Sequence, residues 1–123
     1  NKELVEIQNK YFKKANLTNK IVQHSGDAKN IIPSIDEEFD IVFIDADKES
    51  YPEYYDLIIN KVRSGGIIIA DNILWSGKIL EKVEKDDQAT KSIIEFNNKI
   101  IEDDRVKNII LPIRDGLNIV RKN

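Results

Sequence analysis

FDIVFIDADKESYPEYYDLIINKVRSGGIIIADNILWSG, residues 39–77, decides the fold. Its two apolar runs, Ile41 to Ile44 and Ile67 to Ala70, each end abruptly in acidic or amide residues: Asp45 and Asp47 after the first, Asp71 and Asn72 after the second. Short β-branched runs of this kind read as strands buried on both faces of a parallel sheet. Between them, Tyr51 to Val62 has helical spacing, and Gly65-Gly66 is expected to close that helix before the next strand. A right-handed strand, helix, strand crossover sets the two strands parallel with their carboxyl ends on one edge. Oxygen ligands then converge where open α/β sheets bind ligands.

Outward from this unit, the chain alternates helices and strands, which argues an α/β fold. Leu4, Val5, Ile7, Tyr11 and Phe12 predict an amphipathic helix from about Lys2 to Ala15, with Asn16 as its stop. Ile21 and Val22 predict a short strand ending at Ser25-Gly26-Asp27, followed by a brief helix around Ala28 to Ile32 before Pro33. Downstream, Lys78 to Asp87 is a charged connection and Gln88 to Glu102 a second long amphipathic helix. Val106 to Ile113 and Leu117 to Val120 predict strands joined at Arg114-Asp115-Gly116, a turn signal for an antiparallel final pair.

Composition bounds the function. The 123 residues make one domain at most, and 41% hydrophobic with 33% charged residues is ordinary for a globular chain. A net charge of −3 provides no basic footprint for nucleic acid. No apolar run reaches the length of a membrane span, and the first residues are not a signal peptide, so a cytoplasmic location is the expectation. Without cysteine, disulfides and thiolate metal sites are excluded.

The strand-end carboxylates carry whatever chemistry is present. Asp45, Asp71 and Asn72 offer hard oxygen ligands of the kind magnesium, calcium or manganese prefers, and three protein oxygens leave positions for water and substrate. The competing reading is that an Asp after a strand caps the next helix or begins a turn. Lys48, three residues beyond Asp45, could reach back to that site, where a nearby cation disfavours its charged form and suits it to general-base work. Most lysines at the start of a surface helix are simply solvated, and composition alone favours that reading. Trp75 reads either as an aromatic wall for a flat substrate or as an anchor for its own loop, and His24 as structural or exposed.

The blocks FDIVFIDADKESYPEYY (39–55), GGIIIADNILWSGKIL (65–80) and LPIRDGLNIVRK (111–122) together resemble the cation-dependent O-methyltransferases that use S-adenosylmethionine, the family of caffeoyl-CoA and catechol O-methyltransferases and their small bacterial relatives. The resemblance runs the length of the chain. It implies a Rossmann-like class I methyltransferase sheet, mostly parallel with an antiparallel final pair. It also implies that Asp45, Asp71 and Asn72 ligate the divalent cation and that Lys48 is the base near the substrate hydroxyl. Asp47 would contact S-adenosylmethionine, with Asp45 beside it, while Asp27 and Ala28 would lie against the adenine. Trp75 would border the acceptor pocket, and Ser76 stands where plant relatives carry an asparagine that touches substrate. The acceptor would be a small catechol-like or phenolic hydroxyl compound, with a hydroxylated transfer-RNA nucleoside as the alternative, and the assembly a homodimer.

One departure from the family pattern bears on all of this. The glycine-rich turn after the family's first strand, which receives the donor, and the acidic residue ending the second strand, which binds its ribose, have no counterpart in these 123 residues. The expectation is a single partial methyltransferase domain, its C-terminal portion, with the first two strands missing. As written, the chain is expected to bind the donor weakly or not at all and, with an apolar sheet edge exposed, to be unstable alone or prone to association. Persistence as a non-catalytic metal-binding or interaction module is the further alternative.

Overall fold

β-Branched runs interrupted by two amphipathic helices leave the chain few ways to bury its apolar atoms, and the computed structural model, which describes residues 2–123, realises one of them. Helix α1 (Lys2–Lys14) and helix α2 (Ala28–Ile31) precede strand β1 (Phe39–Ile44), helix α3 (Tyr51–Ile58) and strand β2 (Val62–Asp71). Helix α4 (Gln88–Glu102) and strands β3 (Val106–Leu111) and β4 (Leu117–Lys122) complete it, with short 3-10 turns at Ile32–Ser34, Lys48–Ser50 and Trp75–Leu80. The sheet order is β1-β2-β4-β3. β1 and β2 are parallel, and β4 runs antiparallel to both of its neighbours, so it alone opposes the common direction. The antiparallel final pair is thus the hairpin that Arg114-Asp115-Gly116 announces.

The register fixes which residues share a face. Val42 pairs with Ile68 and Ile44 with Ala70 across the parallel ladder, and Ile68 pairs with Val120 across the antiparallel one. Helices α3 and α4 cover that face, burying Ile44, Ile68, Ala70 and Val120 beneath Tyr51, Tyr55, Ile58, Phe96 and Ile100. The Phe96 ring meets those of Tyr51 and Tyr55 edge-on, with centroids at 5.3 and 6.1 Å, the arrangement that aromatic quadrupoles favour. The opposite face stays open, with Ile41, Phe43 and Ile109 each more than half exposed. β1 has β2 as its one partner among the described residues, so the expected apolar edge is present.

Two local expectations are corrected. Residues 21–25 form no strand, and Val22 is 79% exposed. A strand exists only where its backbone groups find a partner, and among the described residues none lies alongside. Gly65-Gly66 does not close the helix either: α3 ends at Ile58, and both glycines lie inside β2. Pairing there jumps from Phe39↔Val62 to Ile41↔Ile67, so β2 carries a bulge. A Cβ on Gly66 would come within 2.6 Å of Val62 Cγ1 and 3.1 Å of the Asp40 carbonyl oxygen, so only glycine lets the two backbones approach. α1 ends as expected, with Asn16 in the left-handed region (φ 57°), and its stripe of Leu4, Ile7 and Tyr11 is exposed.

Candidate active site at two strand ends

Because β1 and β2 are parallel and Ile44 is level with Ala70, Asp45 and Asp71 leave the sheet side by side. After Asp45 the chain makes a 3-10 turn into α3, which stacks Asp45, Lys48 and Tyr51 at intervals of three residues. Lys48 Nζ lies 3.3 Å from Asp45 Oδ1, and its side chain is only 10% exposed while that of Asp45 is 54% exposed. The ammonium also donates to the Tyr51 hydroxyl, lies 4.6 Å from the centre of the Tyr51 ring, and reaches to 3.5 Å from the Asp71 carbonyl oxygen. Tyr51 is fully buried, and its hydroxyl donates to the Asp71 carbonyl oxygen at 3.0 Å, with the Ile44 carbonyl at 3.3 Å. Burial, helped by the charges of Asp45 and Asp71, raises the Tyr51 pKa, so the phenol keeps its proton. Lys48 is therefore no solvated surface lysine: a buried phenol aims it between the two strand ends.

Asp47 is held separately. Hydrogen bonds from Ser50 and from the Tyr54 hydroxyl keep its carboxyl below the usual carboxylate range, the Tyr54 contact being 2.6 Å. Burial, then the Asp47 carboxylate, push Tyr54 up to about 12. Asp27 caps α2, accepting from the Lys29 backbone N–H at 2.9 Å and from Asn30 Nδ2 at 3.1 Å. Lys29 of α2 pairs with Glu53 of α3 at 3.3 Å, which sets the α2 cap beside the helix that carries Tyr54. Ala28 packs against the core behind it.

The end of β2 is built differently. Asp71 Oδ1 accepts from the Asn72 N–H at 2.7 Å, and Asn72 adopts a left-handed backbone (φ 62°). Leu74 returns to a right-handed backbone (φ −88°), and the loop is left-handed again at Trp75 (φ 48°), Ser76 (φ 54°) and Gly77 (φ 82°). Ile73 N–H donates to the Gly116 carbonyl at 3.2 Å and Leu74 N–H to the Asp115 carbonyl at 3.0 Å. Ser76 N–H donates to Asp115 Oδ1 at 2.5 Å. From the other side, Asn97 Nδ2 of α4 donates to the Ile73 carbonyl at 3.0 Å. Trp75 is half-buried, with its indole Nε1 buried and unpartnered, and Ser76 is exposed.

Asp45 and Asp71 thus leave adjacent strand ends with the Lys48 ammonium between Asp45 and the Asp71 carbonyl, Asn72 follows directly on Asp71, Asp47 lies two residues beyond Asp45, and the Trp75-Ser76 loop comes after Asn72. Tyr51, Tyr54, Asn97 and Asp115 are added by the structure; the three-residue spacing of Asp45, Lys48 and Tyr51 was the one signal in the sequence for any of them. Among the described residues no group of three or more His, Cys, Asp and Glu side chains is placed to hold a metal ion. The set here is two carboxylates and an amide, all hard oxygen donors, with the Lys48 ammonium already against one of them. That chemistry fits a hard divalent cation. His24 is exposed. A groove of about 810 Å³ between α3 and α4 is lined by Tyr55, Lys91, Glu95, Asp103 and Arg105 and includes none of the strand-end residues. Its hydrogen-bonded Asp103–Arg105 pair joins no such constellation.

The sequence profile of a family described as O-methyltransferase matches residues 1–123. The chain is 33% identical over 138 residues to tricin synthase 2 of Oryza sativa subsp. japonica, covering 96% of this chain and 47% of that protein. It is 32% identical over 136 residues to caffeoyl-CoA O-methyltransferase 1 of Zea mays, covering 99% and 52%. Among solved structures, the O-methyltransferase from Bacillus cereus in complex with SAH superposes with a TM-score of 0.91 at 26% identity, covering 100% of this chain and 60% of that one. The chain spans about half the length of the curated relatives it matches. From the profile match over its whole length, the chain belongs to the O-methyltransferase family.

Proposed function

We propose that the protein containing this chain transfers a methyl group from S-adenosylmethionine to a hydroxyl of a small catechol-like or phenolic acceptor, using a divalent cation at the two strand ends. The observation that carries this reading is the side-by-side departure of Asp45 and Asp71 from a parallel ladder, with Lys48 held between them by Tyr51. Asp45, Asp71 and Asn72 would hold the cation. Bound there, it lowers the pKa of an acceptor hydroxyl. Lys48 Nζ, in its neutral form, receives that proton, and the Tyr51 hydroxyl and ring keep the amine directed at the site rather than at solvent. The acceptor oxygen then forms its new bond to carbon as the donor's carbon–sulfur bond breaks. Asp47, tied down by Tyr54, and the Asp27-Ala28 turn make the donor side, while Trp75 and Ser76 border the acceptor. Holding both reactants at reacting distance can supply about 7 to 11 kcal/mol in favourable cases.

The test is methyl transfer by the whole protein to a panel of vicinal and isolated phenols, followed by mass spectrometry with and without a chelator. Transfer that is lost in chelator, returns with magnesium or manganese, and favours vicinal diols supports the reading. Undiminished transfer in chelator contradicts the metal role, and no transfer to any phenol contradicts the acceptor class.

A further inference from the structure

The backbone of the loop after Asn72 needs an explanation that the reaction does not supply. Trp75, Ser76 and Gly77 are left-handed in succession, with φ of 48°, 54° and 82°. For residues that bear side chains this conformation is costly and persists only where the surroundings impose it. The surroundings here are three hydrogen bonds to one turn: Ile73 N–H to the Gly116 carbonyl, Leu74 N–H to the Asp115 carbonyl and Ser76 N–H to Asp115 Oδ1. Two of them use backbone acceptors, which any residue would provide. The third needs a side-chain oxygen at position 115, and it is the one made to the left-handed stretch itself. With a carboxylate as acceptor, it belongs to the charge-assisted class.

We infer that Asp115 is a positioning residue: its carboxylate, carried on the β3–β4 turn, holds Ser76 and so sets Trp75 at the mouth of the strand-end site, where it selects the acceptor. The selecting role rests on the function proposed above; the clamp does not. Asp115 neither ligates the cation nor moves a proton in this account. It acts through Trp75, and the cost of losing it falls on acceptor recognition rather than on donor binding.

The test uses the full chain and its own reporter, since Trp75 is the single tryptophan in these 123 residues. Acrylamide quenching is compared for the parent protein, Asp115→Ala and Asp115→Asn, with Trp75→Phe as the blank that isolates the Trp75 signal. Alanine removes the acceptor oxygen and leaves both backbone acceptors in place, while asparagine keeps an oxygen able to receive the Ser76 N–H. The expected result is a quenching slope about twofold or more higher in Asp115→Ala and near the parent value in Asp115→Asn. In turnover, Asp115→Ala should raise the acceptor KM by about tenfold with donor affinity unchanged, and Asp115→Asn should restore it. An unchanged slope in Asp115→Ala, or a slope raised equally by both variants, overturns the clamp. A raised slope with unchanged acceptor KM overturns the selecting role. If the parent protein transfers no methyl group at all, the proposed function falls, and the quenching comparison still decides the clamp.

Discussion

The loops that leave β1 and β2 start from the same kind of residue, Asp45 and Asp71, but they are held by different means. After β1, the side-chain partners of the site are mostly local: Asp45, Lys48 and Tyr51 stack within seven residues, and Asp47 is tied to Tyr54 seven residues on, with only the Tyr51 hydroxyl and the Lys48 ammonium crossing to the Asp71 carbonyl of the neighbouring strand. After β2, the chain is held from afar, by Asp115 and Gly116 on the β3–β4 turn and by Asn97 on α4. The difference separates two tasks. The groups that would move a proton are set by a short helical turn resting on a buried phenol, which leaves them little freedom. The groups that would meet the acceptor sit on a loop whose shape depends on the hairpin behind it. On the proposed function, proton transfer and acceptor recognition should therefore respond to different substitutions.

Substitutions sharpen or break that contrast. The largest effect is expected at the point the two loops share: Asp71→Ala should lower metal-dependent methyl transfer by about 10³-fold or more, since a cation's charge stabilisation is worth several kcal/mol; turnover at saturating magnesium checks it. Lys48→Ala, confined to the first loop, should lower kcat by about 10²- to 10³-fold, the range of a general base, while equilibrium dialysis finds donor affinity unchanged. If turnover is unaltered, the buried lysine is only a structural cation. Gly116→Ala strikes the second loop from behind, because Gly116 has a φ of 82° and a Cβ there would lie 2.4 Å from Leu74 Cγ. A loss of roughly 2 kcal/mol in unfolding free energy is expected, read by urea denaturation, together with a weaker acceptor KM.

The smallest effect is one of pH. Asp47's carboxyl lies below its usual value in the folded chain. Its contribution to stability is therefore fully present above the unfolded value of about 3.9 and is lost as pH falls through the lower folded value. Melting temperature followed below pH 4 should accordingly fall less steeply in Asp47→Asn than in the parent. Parallel curves would show that the Tyr54 contact does not hold the first loop.

How far each region could be read from sequence follows from the same contrast. β1, β2 and α4 were legible because an apolar run or stripe is a local property, and α4 spans Gln88–Glu102 as its spacing predicts. The side-by-side placement of Asp45 and Asp71 was legible because the ends of two paired parallel strands lie on one edge. Ile21-Val22 looked like a strand because β propensity describes a side chain's fit to a sheet and says nothing of whether a partner strand is there. Gly65-Gly66 looked like a helix stop because a glycine pair punctuates either element, and only the 2.6 Å approach to Val62 reveals the bulge. The left-handed run at Trp75-Ser76 had no signal at all, since its cause lies 39 positions away, at Asp115.

The most direct measurement of the central claim is a manganese titration of the whole protein, followed by the loss of the free ion's paramagnetic resonance signal, in the parent and in Asp45→Asn and Asp71→Asn separately. Two strand ends that form one cation site should give one bound ion per chain in the parent and a large loss of affinity in each single variant. Equal binding in either variant would mean that the two carboxylates do not share an ion, and the metal-assisted account of this site would be wrong.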